Sequence, residues 1–323
     1  MDTLPFDRKS PSWPIEGRDW PNRETSRFVS SGGLTWHVQE SGDGPSLLLL
    51  HGTGAATHSF RDLSPKLAEH FHVLAPDLPG HGFTQMPRSD GLSLGGMARL
   101  LGGLLKQTEF EPDIAVGHSA GAAILVAMAL SGTIRPKVIV AINGALRPIR
   151  GAALFSPLAK LLFLNPLAPR LFAWKAESKD ATRRLLEGTG SNIDARGVEL
   201  YARLFRKSGH VAGTLGMMAN WDLDWLEGRL AALRMPLVLV SAINDKAVPP
   251  SDAATLANRM KAVTAIALDY GGHLVHEEQP ERLAALIVGL ARKAGLGAAD
   301  DVSTEGSRQD EENVCQMRLS SIV

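Results

Sequence analysis

Gly117-His118-Ser119-Ala120-Gly121 constrains this chain most, because it stands between an apolar run, Asp113 to Val116, and a run of small residues, Ala120 to Leu130. A Gly-x-Ser-x-Gly string at a strand-to-helix turn makes a tight bend that lifts the serine Oγ clear of the backbone. Its glycines let strand and helix approach closely. The start of a helix also favours negative charge beside that oxygen. In this setting Ser119 is expected to be a nucleophile.

A neutral serine hydroxyl attacks poorly unless a base takes its proton, and the base needs an acceptor that fixes its tautomer. Two downstream residues fit. Asp245 lies in Ile243-Asn244-Asp245-Lys246 after the run Pro236 to Ser241, and His273 lies in Gly271-Gly272-His273 after Thr264 to Asp269. Asp222, Asp224 and Asp269 are alternatives for the acid. His276 is the alternative base, although it reads better as the start of the last helix. The oxyanion formed on attack needs two backbone donors, one from the residue after the nucleophile and one from the loop after the third strand. Ala120 and Thr53 occupy those places, Thr53 within His51-Gly52-Thr53-Gly54.

From Arg27 onward, short β-rich runs alternate with helical stretches, which predicts a mainly parallel sheet with helices on both faces. Strands are expected at Phe28-Val29, Leu34 to Gln39, Ser46 to Leu50, His72 to Pro76, Asp113 to Val116, Lys137 to Ile142, Pro236 to Ser241 and Thr264 to Asp269. Helices are expected near Arg61 to His70, Leu94 to Thr108, Ala120 to Leu130, Asp252 to Met260 and Glu281 to Ala294. Between Gly144 and about Arg234 there are only helical pieces, such as Pro157 to Phe163, Ala181 to Glu187 and Val198 to Lys207. The expected organisation is therefore an N-terminal extension (1–26), a core (27–143 and 235–296) interrupted by a helical cap (144–234), and a disordered polar tail (297–323).

Composition removes several functions. The 34 basic and 34 acidic residues cancel, so no overall field draws the chain toward nucleic acid or an anionic surface. Cys315 is the single cysteine, which excludes an intrachain disulfide and a cysteine metal site and fits a reducing cytoplasm. The segment Met1 to Arg27 has no apolar run of the kind a signal peptide needs, and no later run is both long and apolar enough to span a bilayer. The ten histidines form no ligand pattern, and Gly80-His81-Gly82 reads as a turn without a nucleotide fingerprint, so neither metal nor cofactor is expected.

His51-Gly52-Thr53-Gly54, Asp77-Leu78-Pro79-Gly80-His81-Gly82, the Ser119 string and Gly272-His273 occur in the order found in the α/β-hydrolase superfamily, which the chain resembles over about Arg27 to Leu290. The resemblance implies an eight-stranded, mostly parallel sheet with an inserted helical cap. It also implies a Ser119, Asp245, His273 triad, with an oxyanion hole from Thr53 and Ala120. A serine nucleophile sets the chain apart from haloalkane dehalogenases and most epoxide hydrolases, and leaves ester, thioester or C–C bond hydrolysis. Further strings resemble one branch, the magnesium-chelatase accessory proteins of bacteriochlorophyll biosynthesis. Among them are Gly32 to Gln39, His51 to Ser59, Phe155 to Lys160, Gly188-Thr189-Gly190-Ser191 and Gly209-His210-Val211-Ala212-Gly213.

That resemblance implies photosynthetic pigment synthesis, magnesium chelatase as a partner and a tetrapyrrole as the bulky apolar substrate. The cap residues Phe155, Leu161, Phe163, Phe172, Trp174, Met217, Met218 and Trp221 suit a pocket of that kind. A non-catalytic, porphyrin-binding accessory role is the alternative. Membrane contact is expected to be peripheral at most, through Leu158 to Trp174.

Overall fold

In the computed structural model, residues 10–148, 169 and 179–296 are described. Four consecutive leucines show why a parallel sheet forms. In the strand Ser46–Leu50 (β3), successive side chains point to opposite faces, and Leu47 to Leu50 are all fully buried. Leu48 and Leu50 join one hydrophobic cluster, Leu47 and Leu49 the other. A strand covered on both faces is apolar throughout rather than alternating, and Ile114–His118 (β5), Val138–Ile142 (β6) and Leu237–Ala242 (β7) are buried along their whole length.

With Ser26–Ser31 (β1), Leu34–Ser41 (β2), His72–Pro76 (β4) and Val263–Leu268 (β8), these strands make one eight-stranded sheet in the order β1-β2-β4-β3-β5-β6-β7-β8. β2 pairs antiparallel with β1 and β4, and the other pairings are parallel. The chain therefore has the expected α/β fold with a mostly parallel sheet.

Leu94–Gln107 (α3) and Ala120–Leu130 (α4) supply one cluster, while Leu63–Ala68 (α2) and Pro280–Lys293 (α11) supply the other. The helix α4 is buried on every side, which is why it is built of small and apolar residues all round. Pro250–Arg259 (α9) connects β7 to β8. His276 does not open the last helix. It lies in the single turn Val275–Glu278 (α10), and α11 starts at Pro280, whose missing N–H costs nothing at a helix start.

Between β6 and β7 the described residues form Lys179–Glu187 (α5), Ala195–Phe205 (α6), Ser208–Ala219 (α7) and Asp224–Arg229 (α8), with no strand among them. The helix α6 begins three residues before the expected Val198 because Asp194 caps it, its Oδ1 accepting from Gly197 N–H at 2.6 Å. The expected helix Pro157 to Phe163, the residues Phe155, Leu161, Phe172 and Trp174, and the tail from 297 lie outside the described residues. No described helix is long and apolar enough to cross a membrane.

The segment before β1 packs onto the body of the protein. Trp13–Glu16 (α1) places Trp13 against Phe28, His37 and Phe83. Trp20 is 2% exposed beside Ala56, Phe83, Leu200 and Leu204, and its indole N–H donates to Thr57 Oγ1 at 3.0 Å. Asp19 pairs with Arg196 and Arg203 of α6 at 2.7 Å each, and Glu16 pairs with Lys207 at 2.6 Å. Those arginines hold the Asp19 carboxyl well below the usual carboxylate range.

Candidate active site

Three strands of the sheet, β5, β7 and β8, carry Ser119, Asp245 and His273 just beyond their carboxyl ends, on the side where ligands bind open parallel sheets. Ser119 stands at φ 51 and ψ −117 between β5 and α4. The bend depends on its two glycines. A Cβ on Gly117 would fall 2.6 Å from Ala122 N, and one on Gly121 would fall 2.4 Å from Leu50 O. Backbone bonds from Ser119 N–H to Ile142 O at 3.0 Å and from Ala145 N–H to Ser119 O at 3.1 Å tie the turn to the neighbouring strand and loop.

Asp245 and His273 meet. His273 Nδ1–H donates to Asp245 Oδ2 at 2.9 Å, and Asp245 Oδ1 accepts from Ala247 N–H at 2.8 Å and Val248 N–H at 2.9 Å. The carboxylate is thereby fixed in place, and the bond to Nδ1 turns Nε2, the other ring nitrogen, away from the acid. Of the other acids, Asp222 accepts from Asp224 N–H and Asp269 is paired with Arg282 at the surface. His276 is fully buried against His118 and Phe60, so His273 is the histidine that the acid loop engages.

The loop His51 to Gly54 reaches the same point. A Cβ on Gly52 would lie 2.9 Å from His118 Nδ1 and 3.0 Å from Ser119 Cβ, so only glycine lets this loop approach the serine. Ala120 is the first residue of α4, where N–H groups have no partner within the helix. His51 Nε2 accepts from Leu78 N–H at 2.9 Å, which puts its proton on Nδ1, and Nδ1–H donates to Gly52 O at 2.8 Å. Burial keeps both His51 and His118 below their ordinary pKa and hence neutral.

Three supports escaped sequence reasoning. Asn143, directly after β6 and at φ 46, donates from Nδ2 to Gly272 O at 3.0 Å and to His273 O at 2.9 Å, while its Oδ1 accepts from Ala242 N–H. His118 Nε2–H donates to His273 O at 2.9 Å. Gly190 and Ser191 wedge between the acid and histidine loops: Lys246 N–H donates to Thr189 O, Leu274 N–H to Ser191 Oγ, and a Cβ on Gly190 would fall 1.8 Å from Asn244 O. The available signals were the polar Asn143 closing an apolar strand and the string Gly188-Thr189-Gly190-Ser191, whose residue types alone do not reveal its place beside the acid and histidine loops.

Among the described residues, no group of three or more histidines, cysteines or carboxylates stands ready to hold a metal ion. The deepest carboxylates serve structure. Asp77 accepts from Thr57 N–H and Phe83 N–H and meets His37 at 2.8 Å, and this company holds it well below the usual carboxylate range. Glu277 meets Arg61 and the Tyr201 hydroxyl, yet burial pushes it up to about 7.

The model of the alpha/beta hydrolase family matches residues 47–286. The magnesium-chelatase 30 kDa subunit of Rhodobacter capsulatus is 38% identical over 274 residues, which cover 84% of this chain and 95% of that protein. The 2-hydroxy-6-oxo-2,4-heptadienoate hydrolase of Pseudomonas putida is 34% identical over 112 residues, covering 34% of this chain and 41% of its own. Among solved structures, a haloalkane dehalogenase variant from Bradyrhizobium elkanii superposes with a TM-score of 0.68 at 21% identity, covering 84% of this chain and 97% of its own. A serine hydrolase involved in carbazole degradation gives 0.67 at 19% identity, with 83% and 98% covered. At such identities the structural matches speak for the fold alone.

Proposed function

The chain belongs to the alpha/beta hydrolase family, and on that premise we propose that it is a cytoplasmic serine hydrolase of bacteriochlorophyll synthesis, acting beside magnesium chelation. The observation that carries the hydrolase reading is the convergence of Ser119, the Gly52 turn and the His273–Asp245 pair at one end of the sheet. The pathway rests on the similarity to the magnesium-chelatase subunit, which runs almost the full length of that protein.

In the proposed reaction His273 Nε2 takes the Ser119 proton as Oγ attacks a carbonyl. Asp245 holds the other side of the ring and stabilises the imidazolium. The N–H groups of Thr53 and Ala120 receive the oxyanion, and His273 passes its proton to the leaving group before activating water for the second half. The helices between β6 and β7 act as the cap over this centre. Met217, fully buried in the main core cluster, sets its thioether 3.4 Å from Thr53 Oγ1, so the cap packs directly on the loop that carries the proposed oxyanion donor. That the substrate is a bulky apolar molecule such as a tetrapyrrole rests on the similarity to the magnesium-chelatase subunit.

Metabolite profiling of a pigment-forming host carrying Ser119→Ala tests both halves. A tetrapyrrole precursor that accumulates, with loss of mature pigment, is the expected outcome. Unchanged pigment synthesis would sink the catalytic reading and leave a non-catalytic accessory or porphyrin-binding role beside magnesium chelatase.

A further inference from the structure

The Thr53 N–H belongs to the peptide joining Gly52 to Thr53, and in a trans peptide the N–H and C=O point in opposite directions. Whatever holds Gly52 O therefore aims Thr53 N–H. Two donors hold it: His51 Nδ1–H at 2.8 Å and Ala55 N–H at 3.2 Å. Ala55 N–H in turn belongs to the Gly54–Ala55 peptide, and the carbonyl of that peptide, Gly54 O, accepts from His210 Nε2–H of α7 at 3.1 Å.

The result is a continuous relay: His210 to Gly54 O, Ala55 N–H to Gly52 O, and Thr53 N–H outward. Hydrogen bonds in such a chain polarise one another. The turn that allows it needs φ +78 at Gly54.

His210 is well placed to anchor the relay. It is 1% exposed, and its Nδ1 accepts from Gly82 N–H at 3.1 Å, which fixes the proton on Nε2. The helix that carries it lies backbone to backbone against the Gly80 turn, since a Cβ on Gly213 would fall 2.0 Å from Gly80 O. Thr214 of the same helix packs against Gly54, and Met217 meets Thr53.

We propose that His210, a residue of the inserted helices, is a positioning residue for the oxyanion hole, aiming the Thr53 N–H through two peptide units of the main body. The inference rests on the serine-hydrolase reading above and assigns part of the catalytic frame to the cap. Removing one oxyanion donor from a serine hydrolase costs about 10² to 10³ in kcat, so misaiming one is expected to cost about tenfold or more.

The test measures p-nitrophenyl ester hydrolysis and inhibition by an aryl trifluoromethyl ketone, whose serine adduct carries an oxyanion. His210→Leu is expected to lower kcat by about tenfold or more with KM within about twofold, and to weaken the ketone in parallel. His210→Gln, whose amide reaches Gly54 O, recovers most of the loss. His210→Asn keeps an acceptor for Gly82 N–H but falls short of Gly54, so it behaves like Leu while preserving the fold by circular dichroism.

An unchanged kcat in the Leu and Asn variants, a kcat loss without loss of ketone affinity, or a Gln variant no better than Asn overturns the proposal. Ser119→Ala in the same assay separates the two claims. If it leaves hydrolysis intact, the hydrolase reading has failed. If it abolishes hydrolysis while the His210 variants stay active, only the relay has failed.

Discussion

Ser119 keeps a positive φ of 51 that residues with side chains rarely adopt, a conformation that costs about 1–3 kcal/mol and persists only where its surroundings impose it. Here Gly117, Gly121 and the two backbone bonds to the β6 side impose it. The acid is equally constrained. Because Asp245 Oδ1 is committed to Ala247 and Val248 N–H, Asp245→Asn must turn its NH₂ toward His273 Nδ1. That ring would then carry its proton on Nε2 and could not accept one from Ser119. Ester hydrolysis in Asp245→Asn is expected to fall by roughly 10³ to 10⁴ in kcat with the fold intact; a loss of less than about tenfold would show that His273 does not depend on this acid.

The boundaries of β3, β4 and α4 were legible in the sequence because each is an apolar or small-residue run closed by turn formers, and burial on all sides demands such a run. The helix α7 was not legible. Gly209, Gly213 and Gly216 lower its helix propensity, and at Gly213 the glycine serves close packing on the Gly80 loop rather than local structure. Ser119, Asp245 and His273 could be found by their places after strands, whereas Asn143, His118, His210 and Ser191 act through backbone carbonyls and amides, which no side-chain motif encodes.

The described part of the N-terminal extension, residues 10–25, anchors α6 through Trp20 and Asp19. Trp20→Ala removes a buried indole and its bond to Thr57, and is expected to cost about 3–5 kcal/mol. Urea unfolding measures this, and a change below about 1 kcal/mol would mean that the segment is only draped on the surface.

Across the whole molecule, burial holds His51, His58, His81, His118, His210 and His276 below their ordinary value of 6.5, His210 at about 4 and His276 at about 3. In the unfolded chain these rings take up protons near pH 6.5 while the folded rings stay neutral. Their contribution is therefore full above 6.5 and is lost as pH falls through the folded values. Glu277 works the other way: raised to about 7, its contribution is full below 4.5 and is lost as pH rises through 7.

The histidines outnumber it, so stability is expected to fall steeply between pH 6.5 and 4. His276, whose ring nitrogens have no hydrogen-bond partner among the described residues, gives the clean test. His276→Leu should reduce the fall in unfolding free energy between pH 6.5 and 4, measured by urea unfolding, by on the order of 3 kcal/mol, and an unaltered fall would exclude its part.

Ser119, at the turn after β5, is the proposed nucleophile, and a fluorophosphonate probe read by peptide mass spectrometry addresses it. The wild-type protein should take a single adduct on the peptide containing Ser119, with no adduct in Ser119→Ala and much slower labelling in His273→Ala. An unlabelled wild-type protein, or an adduct that survives Ser119→Ala, would contradict the assignment of Ser119 as the nucleophile.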